Sequence, residues 1–102
     1  MDNLNDLIRK YKNDLLKKKA NYKKKVSDLP KGTLTVKRNK NTGTEYFYLK
    51  YREGKKIVSK YLGKISDSVH EIQKQIVLRK KLEKSLKEME KELKLIKKIE
   101  SL

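Results

Sequence analysis

The chain has no cysteine and no tryptophan, and among its 102 residues there are one proline, one phenylalanine, one histidine and four glycines. Without cysteine there can be no disulfide and no thiolate metal site, a composition compatible with the cytosol. His70 stands alone beside Glu71, so no second imidazole or thiolate is available to complete a metal site, and neither metal nor cofactor is expected. Gly32, Gly43, Gly54 and Gly63 fall about eleven residues apart and punctuate turns rather than forming a phosphate-cradling loop. The serines have no histidine at a credible position, and the acids are scattered along helical sequence. With no catalytic constellation the expectation is a non-enzymatic protein. No apolar run approaches the ~20 residues of a membrane span. The opening MDNLND carries acids where a signal peptide would be basic, so a cytoplasmic protein is expected.

What the chain has in excess is positive charge. Charged residues make up 41% and apolar residues 35%, with a net charge of +16. A thick globular core does not fit that balance, whereas an elongated helical protein with a small sheet does. The field attracts phosphate polyanions or anionic lipid. Lysine greatly outnumbers arginine, as in many proteins from AT-rich genomes, but the charge acts physically whatever its origin. At this length the expectation is one domain spanning 1–102, since either half alone would be too small to bury a stable core.

The chain reads as helix, sheet, helix. Asp2 or Asn3 can cap a first helix over 3–27, in which Leu4, Leu7, Ile8, Tyr11, Leu15, Tyr22 and Val26 recur on one side. Leu4, Leu15 and Val26 are eleven apart, as are Tyr11 and Tyr22, a period of ~3.67 residues per turn that keeps a stripe on one face. Pro30 and Gly32 end the helix. Alternation around Leu34 and Val36 starts a sheet over 33–63, with turns at Asn41-Thr42-Gly43 and near Glu53-Gly54.

On the second strand Phe47, Leu49 and Tyr51 share one face, and Tyr46, Tyr48 and Lys50 the other. The third strand has two possible registers. A two-residue turn at Glu53-Gly54 puts Val58 with Leu49, and a three-residue loop ending on Gly54 puts Ile57 and Tyr61 there. The second is favoured because it gathers Phe47, Leu49, Ile57 and Tyr61 on one apolar face. A last helix over 68–100 opens with the capping-box spacing of Ser68 and Glu71. Its Leu82, Leu86, Met89, Leu93 and Ile96 alternate at four and three, the spacing of a coiled-coil seam. The expected fold is therefore α+β: a long N-terminal helix, a three-stranded antiparallel sheet and a long C-terminal helix, the two helices forming an antiparallel coiled-coil arm. Tyr11 should lie near Leu86, Leu4 near Leu93, and Val26 near Val69 or Ile72, which leaves Ile96 and Ile99 overhanging and available for a homodimer.

Residues 44–64, TEYFYLKYREGKKIVSKYLGK, concentrate four of the six tyrosines and the single phenylalanine among basic residues. Tyrosines can stack on bases while cations neutralise phosphates or read base edges. The candidate contacts are Lys37, Arg38, Lys40, Tyr46, Tyr48, Lys50, Arg52, Lys55, Lys56, Lys60 and Lys64 on the sheet. Lys17, Lys18, Lys24 and Lys25 on the first helix could track phosphates. The plainer alternative is that the tyrosines are strand formers and the lysines guard sheet edges or form a solvated helix face. The first helix is also basic and amphipathic, but its stripe lacks tryptophan and phenylalanine and has a partner helix, so no membrane partner is expected.

The run LPKGTL, then EYFYLKYREGKKIVSKYLGK, then a long Lys/Glu helix resembles a family of small uncharacterised bacterial, archaeal and phage proteins, over residues 29–100. The order of tyrosines, the Arg-x-Gly turn and the Tyr-Leu-Gly end carry the resemblance. The YREG-to-YLGK portion is also similar to a strand pair near the N-terminus of some transposases and, more loosely, to the three-stranded sheet by which phage integrases contact arm-site DNA. That similarity implies DNA-facing positions at Tyr46, Tyr48, Lys50, Arg52, Lys55 and Lys56. No recombinase catalytic domain follows, so only DNA contact is implied. The leading expectation is a small nucleic-acid-binding protein, of DNA or RNA. Two others stand beside it: a phage-encoded inhibitor, anti-CRISPR-like, that docks on a host RNA-guided nuclease or ribonucleoprotein, and a structural coiled-coil protein.

Overall fold

The computed structural model describes residues 3–102. The order is α1 (Leu4–Asp28), β1 (Thr33–Arg38), β2 (Glu45–Glu53), β3 (Lys56–Gly63) and α2 (Asp67–Glu100). This is the α+β arrangement the sequence implies, two helices flanking a three-stranded antiparallel sheet. The chain divides into two compact units, one holding α1 with Lys80–Leu102, the other Leu29–Arg79, so that α2 supplies its first turns to the second and the rest to the first.

In the helical unit α1 is capped by Asn3. Its side-chain oxygen accepts from the amide of Asp6 at 2.9 Å, and the Asp6 carboxylate accepts from the amide of Asn3 at 3.4 Å, a reciprocal pair that satisfies two free donors of the first turn. The other proposed cap, Asp2, lies outside the described residues. Leu15, Met89 and Ile96 are buried together, and Ile8, Tyr22, Leu86 and Leu93 pack around them. The helices run antiparallel, since Ile8 and Arg9 lie beside Ile99 and Glu100 while Lys19 lies beside Glu90 and Leu93. Across the pair Tyr11 donates to Glu92 at 2.8 Å, and Lys12 pairs with Glu100 at 2.8 Å.

The helical register differs from the sequence expectation. Tyr11 meets Glu92 rather than Leu86, and Ile96 is buried at 7% exposure instead of overhanging. Leu4, Leu7 and Tyr11 are exposed, with Leu4 at 71%. Ile99 remains partly exposed and lines a shallow hollow with Asn5, Ile8 and Arg9. Val26 and Val69 fall in different units. The physical cause is the period. α2 presents Leu82, Leu86, Met89, Leu93 and Ile96 at alternating four and three, and α1 matches that spacing only through Ile8, Lys12, Leu15, Lys19, Tyr22 and Val26, its half-buried and buried positions. The eleven-residue stripe drifts off that seam, and two lysines take its place.

In the sheet unit the strands run in the order β1-β2-β3, both pairs antiparallel. The β1–β2 pairing sets Leu34 opposite Leu49, Thr35 opposite Tyr48, Val36 opposite Phe47 and Lys37 opposite Tyr46. The hairpin between them closes through Asn39, whose amide donates to the carbonyl of Thr44 at 2.8 Å while its own carbonyl accepts from Gly43 at 2.8 Å. The unit buries Phe47 and Leu49 on one sheet face and Val69 and Ile76, two turns apart, on one stripe of α2. Arg79 donates to the carbonyl of Leu29, tying that stretch of α2 to the segment that enters β1. The α2 cap is Ser66, whose hydroxyl accepts from the amide of Val69 at 3.3 Å, so the Ser68–Glu71 capping box expected from spacing is not the device used. Ser68 falls one residue inside the helix instead.

Gly32 fixes how β1 enters the sheet. It has φ +122, and a Cβ built there would lie 2.3 Å from the carbonyl oxygen of Lys50 and 3.0 Å from the Cβ of Tyr51. Only a residue without a side chain allows that approach of the two backbones.

Candidate nucleic-acid interface

The β2–β3 hairpin decides what the sheet presents. Glu53 pairs with Lys56, leaving Gly54 and Lys55 as a two-residue turn, with Gly54 at φ +62 in its first position. That is the position for which hairpin turns favour glycine. The favoured three-residue loop is therefore corrected, and the two-residue turn sits one residue later than Glu53-Gly54, so that Lys60 rather than Val58 lies opposite Leu49. Val58 lies opposite Tyr51, on the face of Leu49, whereas Ile57 lies opposite Arg52 and Tyr61 opposite Tyr48, on the other face. A slip of one residue transfers every β3 side chain to the opposite face. Near the end of the strands the register shifts between Phe47 and Tyr48, so that Phe47 pairs with Gly63 and Leu62 is the extra residue of a bulge.

With this register the outer face, as strand alternation sets it, carries Thr33, Thr35 and Lys37 from β1, Tyr46, Tyr48, Lys50 and Arg52 from β2, and Ile57, Ser59 and Tyr61 from β3. The tyrosines cluster. The ring of Tyr61 lies 5.3 Å from that of Tyr48 and 6.2 Å from that of Tyr46, tilted by 58° and 39°. The Lys37 ammonium sits 4.9 Å from the centroid of Tyr48, close enough for a cation–π attraction that holds it over the ring. Lys50 and Arg52 are exposed. The acids of the described strands, Glu45 and Glu53, have the opposite parity, so this face is positive and free of carboxylates.

The remaining sequence candidates are dispersed. Arg38 has the parity of the buried face and is paired with Glu45 at 3.2 Å, which partly neutralises it. Lys56 and Lys60 also alternate away from the tyrosines, opposite Glu53 and Leu49. Lys40 lies in the β1–β2 turn, Lys55 in the β2–β3 turn and Lys64 just after β3, all exposed. Lys17, Lys18, Lys24 and Lys25 are exposed on α1 in the helical unit. Of these, Lys18 and Lys25 hold their ammoniums 5.5 and 5.9 Å from the Tyr22 ring. Tyr61 was not among the candidates because its assigned register sent it to the core. The signal that could have placed it is Gly54, since glycine at the first position of a two-residue turn is the stronger hairpin pattern.

Among the described residues no group of three His, Cys, Asp or Glu side chains gathers to hold a metal ion. His70 is exposed and lines an open hollow with Asp67, Gln73, Lys74 and Val77. No helix in the described residues is long and apolar enough to cross a membrane.

The molecule is thus an α+β protein built on a three-stranded antiparallel sheet between two long helices. Residues 4–74 match the model of a domain of unknown function, DUF6788, and the chain belongs to that family. The matched segment takes in α1, the whole sheet and the start of α2, and so begins earlier and ends earlier than the 29–100 resemblance. No curated protein and no solved structure matches the chain.

Proposed function

We propose that the protein binds nucleic acid through the outer face of its sheet and performs no chemistry on it. The observation that carries this reading is the segregation of charge: Lys37, Lys50 and Arg52 surround the tyrosines, while the acids of the strands have the opposite parity. A merely solvated sheet face has no need to exclude carboxylates, and cross-strand pairs of opposite charge, such as Arg38 with Glu45, would stabilise it slightly. A phosphate polyanion does need it, because one carboxylate among the cations would offset a contact. The net charge of +16 adds long-range attraction for the same partner.

The test is fluorescence anisotropy with labelled oligonucleotides across a salt series. Phosphate contact predicts a log-log slope of about −0.9 per phosphate neutralised on duplex and about −0.7 on single strand. Affinity that does not change between low and physiological salt refutes the reading. A pull-down with and without nuclease treatment addresses the inhibitor alternative: a host nuclease retained after digestion of all nucleic acid would favour direct protein docking over nucleic-acid binding.

A further inference from the structure

From the geometry of the same face we infer the form of its ligand: a single strand whose unstacked bases lie on the row Ile57, Ser59 and Tyr61, with Lys50 and Arg52 against the backbone. This deepens the reading above and rests on it.

The row lies along an edge strand, and two of its members are more exposed than their chemistry favours. Tyr61 is 57% exposed and Ile57 70%. Tyr61 is tilted by 58° and 39° against Tyr48 and Tyr46 rather than stacked flat on either ring. Between the two, Ser59 is small, so the row is a trough with a ring at one end and a branched aliphatic at the other. The two are four positions apart, ~13 Å at 3.3 Å per residue, and the aromatics of an RNA-recognition sheet stack two or three bases. On the neighbouring strand Lys50 pairs with Ser59 and Arg52 with Ile57, so cations flank the trough along its length.

A duplex uses this surface poorly. Its base faces are already stacked on one another, and its major-groove edges are read by long side chains that hydrogen-bond in pairs, such as arginine, asparagine and glutamine. The row offers none of these, and its ring and aliphatic groups would lie idle against phosphates. An unstacked base supplies the flat apolar partner that an exposed ring and Ile57 can cover, and stacking of this kind is tolerant of sequence. The chemistry is common to DNA and RNA, since each carries the same π-faces and phosphates.

The experiment compares labelled pyrimidine 12-mers of DNA and of RNA with the DNA duplex of equal length, at about 0.15 M salt, for the wild-type protein, Tyr61→Ala and Tyr61→Phe. The expected result is tighter binding of at least one single strand than of the duplex. Tyr61→Ala should weaken single-strand binding about ten-fold or more and duplex binding less than about two-fold, while Tyr61→Phe, which keeps the ring, binds as wild type. The difference between the two single-strand arms then names the sugar. Circular dichroism confirms that each variant folds. A duplex bound as tightly as the better bound of the two single strands, or an equal effect of Tyr61→Ala on that strand and on the duplex, overturns the single-strand inference and leaves nucleic-acid binding standing. No binding to any oligonucleotide overturns both.

Discussion

Removing the charges of Lys50 and Arg52 together gives the sharpest measure of whether the sheet face is a site or only part of a diffuse positive field. Both are exposed on the outer face, and neither joins the ion pairs formed by Lys12 and Arg38. If each neutralises one phosphate, Lys50→Gln with Arg52→Gln should reduce the magnitude of the log-log salt slope by about 1.4 on single strand and about 1.8 on duplex. Scaled from 1 M, where the counterion-release contribution vanishes, to about 0.15 M, that is a loss of roughly 14-fold on single strand and roughly 30-fold on duplex. Lys91 and Lys94 are the control, two exposed lysines of α2 in the helical unit whose removal subtracts the same formal charge. Glutamine at both should change affinity by less than about two-fold and leave the slope nearly unchanged if contacts rather than net charge dominate. The assay is anisotropy at four or more salt concentrations, with thermal denaturation to confirm folding. Equal losses from the two pairs would refute a site on the sheet, because they would mean that the ligand senses only total charge.

The remaining predictions concern the frame that presents this face. Gly32→Ala combines a backbone conformation unfavourable to L side chains with a Cβ 2.3 Å from the Lys50 carbonyl oxygen, and should cost about 3 kcal/mol, lowering Tm by more than about 10 °C; a shift under about 2 °C would show that the strands part freely. Ile96→Ala should cost about 2–4 kcal/mol in denaturant melts and Leu4→Ala less than about 0.5, the reverse of what the eleven-residue stripe implies, and equal costs would contradict the observed seam. Tyr11 donates to the Glu92 carboxylate, and that hydrogen bond, with the nearby negative charge, holds its pKa above the ordinary tyrosine value. Its contribution is therefore fully present below pH ~10 and is lost as pH rises through the raised folded value, so Tyr11→Phe should show a shallower alkaline loss of stability in melts from pH 8 to 11; an unchanged alkaline limb would mean the hydrogen bond is not formed in solution.

Element order was legible because each boundary has a strong local cause. Pro30 and Gly32 stop α1, Asn39 to Gly43 make a turn, and strand alternation around Phe47 and Leu49 is unambiguous. Partner choice between elements was less legible, since it depends on what both sides can offer. In α1 the sequence stripe chose leucines and tyrosines and treated lysine as solvent-facing. The pairing instead took Lys12 and Lys19 into the seam, because α2 fixes a four-three spacing and a long aliphatic stem can cover apolar surface while its ammonium reaches out, as Lys12 does to Glu100.

The same dependence governs the candidate site, with larger consequences. Favouring the register that buries Ile57 and Tyr61 assumed that a basic protein hides its large apolar groups wherever it can. The hairpin turn overrides that preference. Gly54 takes positive φ at the first turn position, where a bulkier residue would be strained, and this commits β3 to a register whose apolar cost is the exposure of Ile57 and Tyr61. A sheet that only had to be stable could avoid the exposure by polar substitution at both positions, which on a solvent-facing strand changes stability by no more than a few tenths of a kcal/mol. Retaining a ring and an isoleucine there, on the carboxylate-free side of the sheet, makes sense if something flat and anionic covers them. The turn, rather than the density of tyrosines, is therefore the feature that turns an aromatic strand pair into a candidate binding surface.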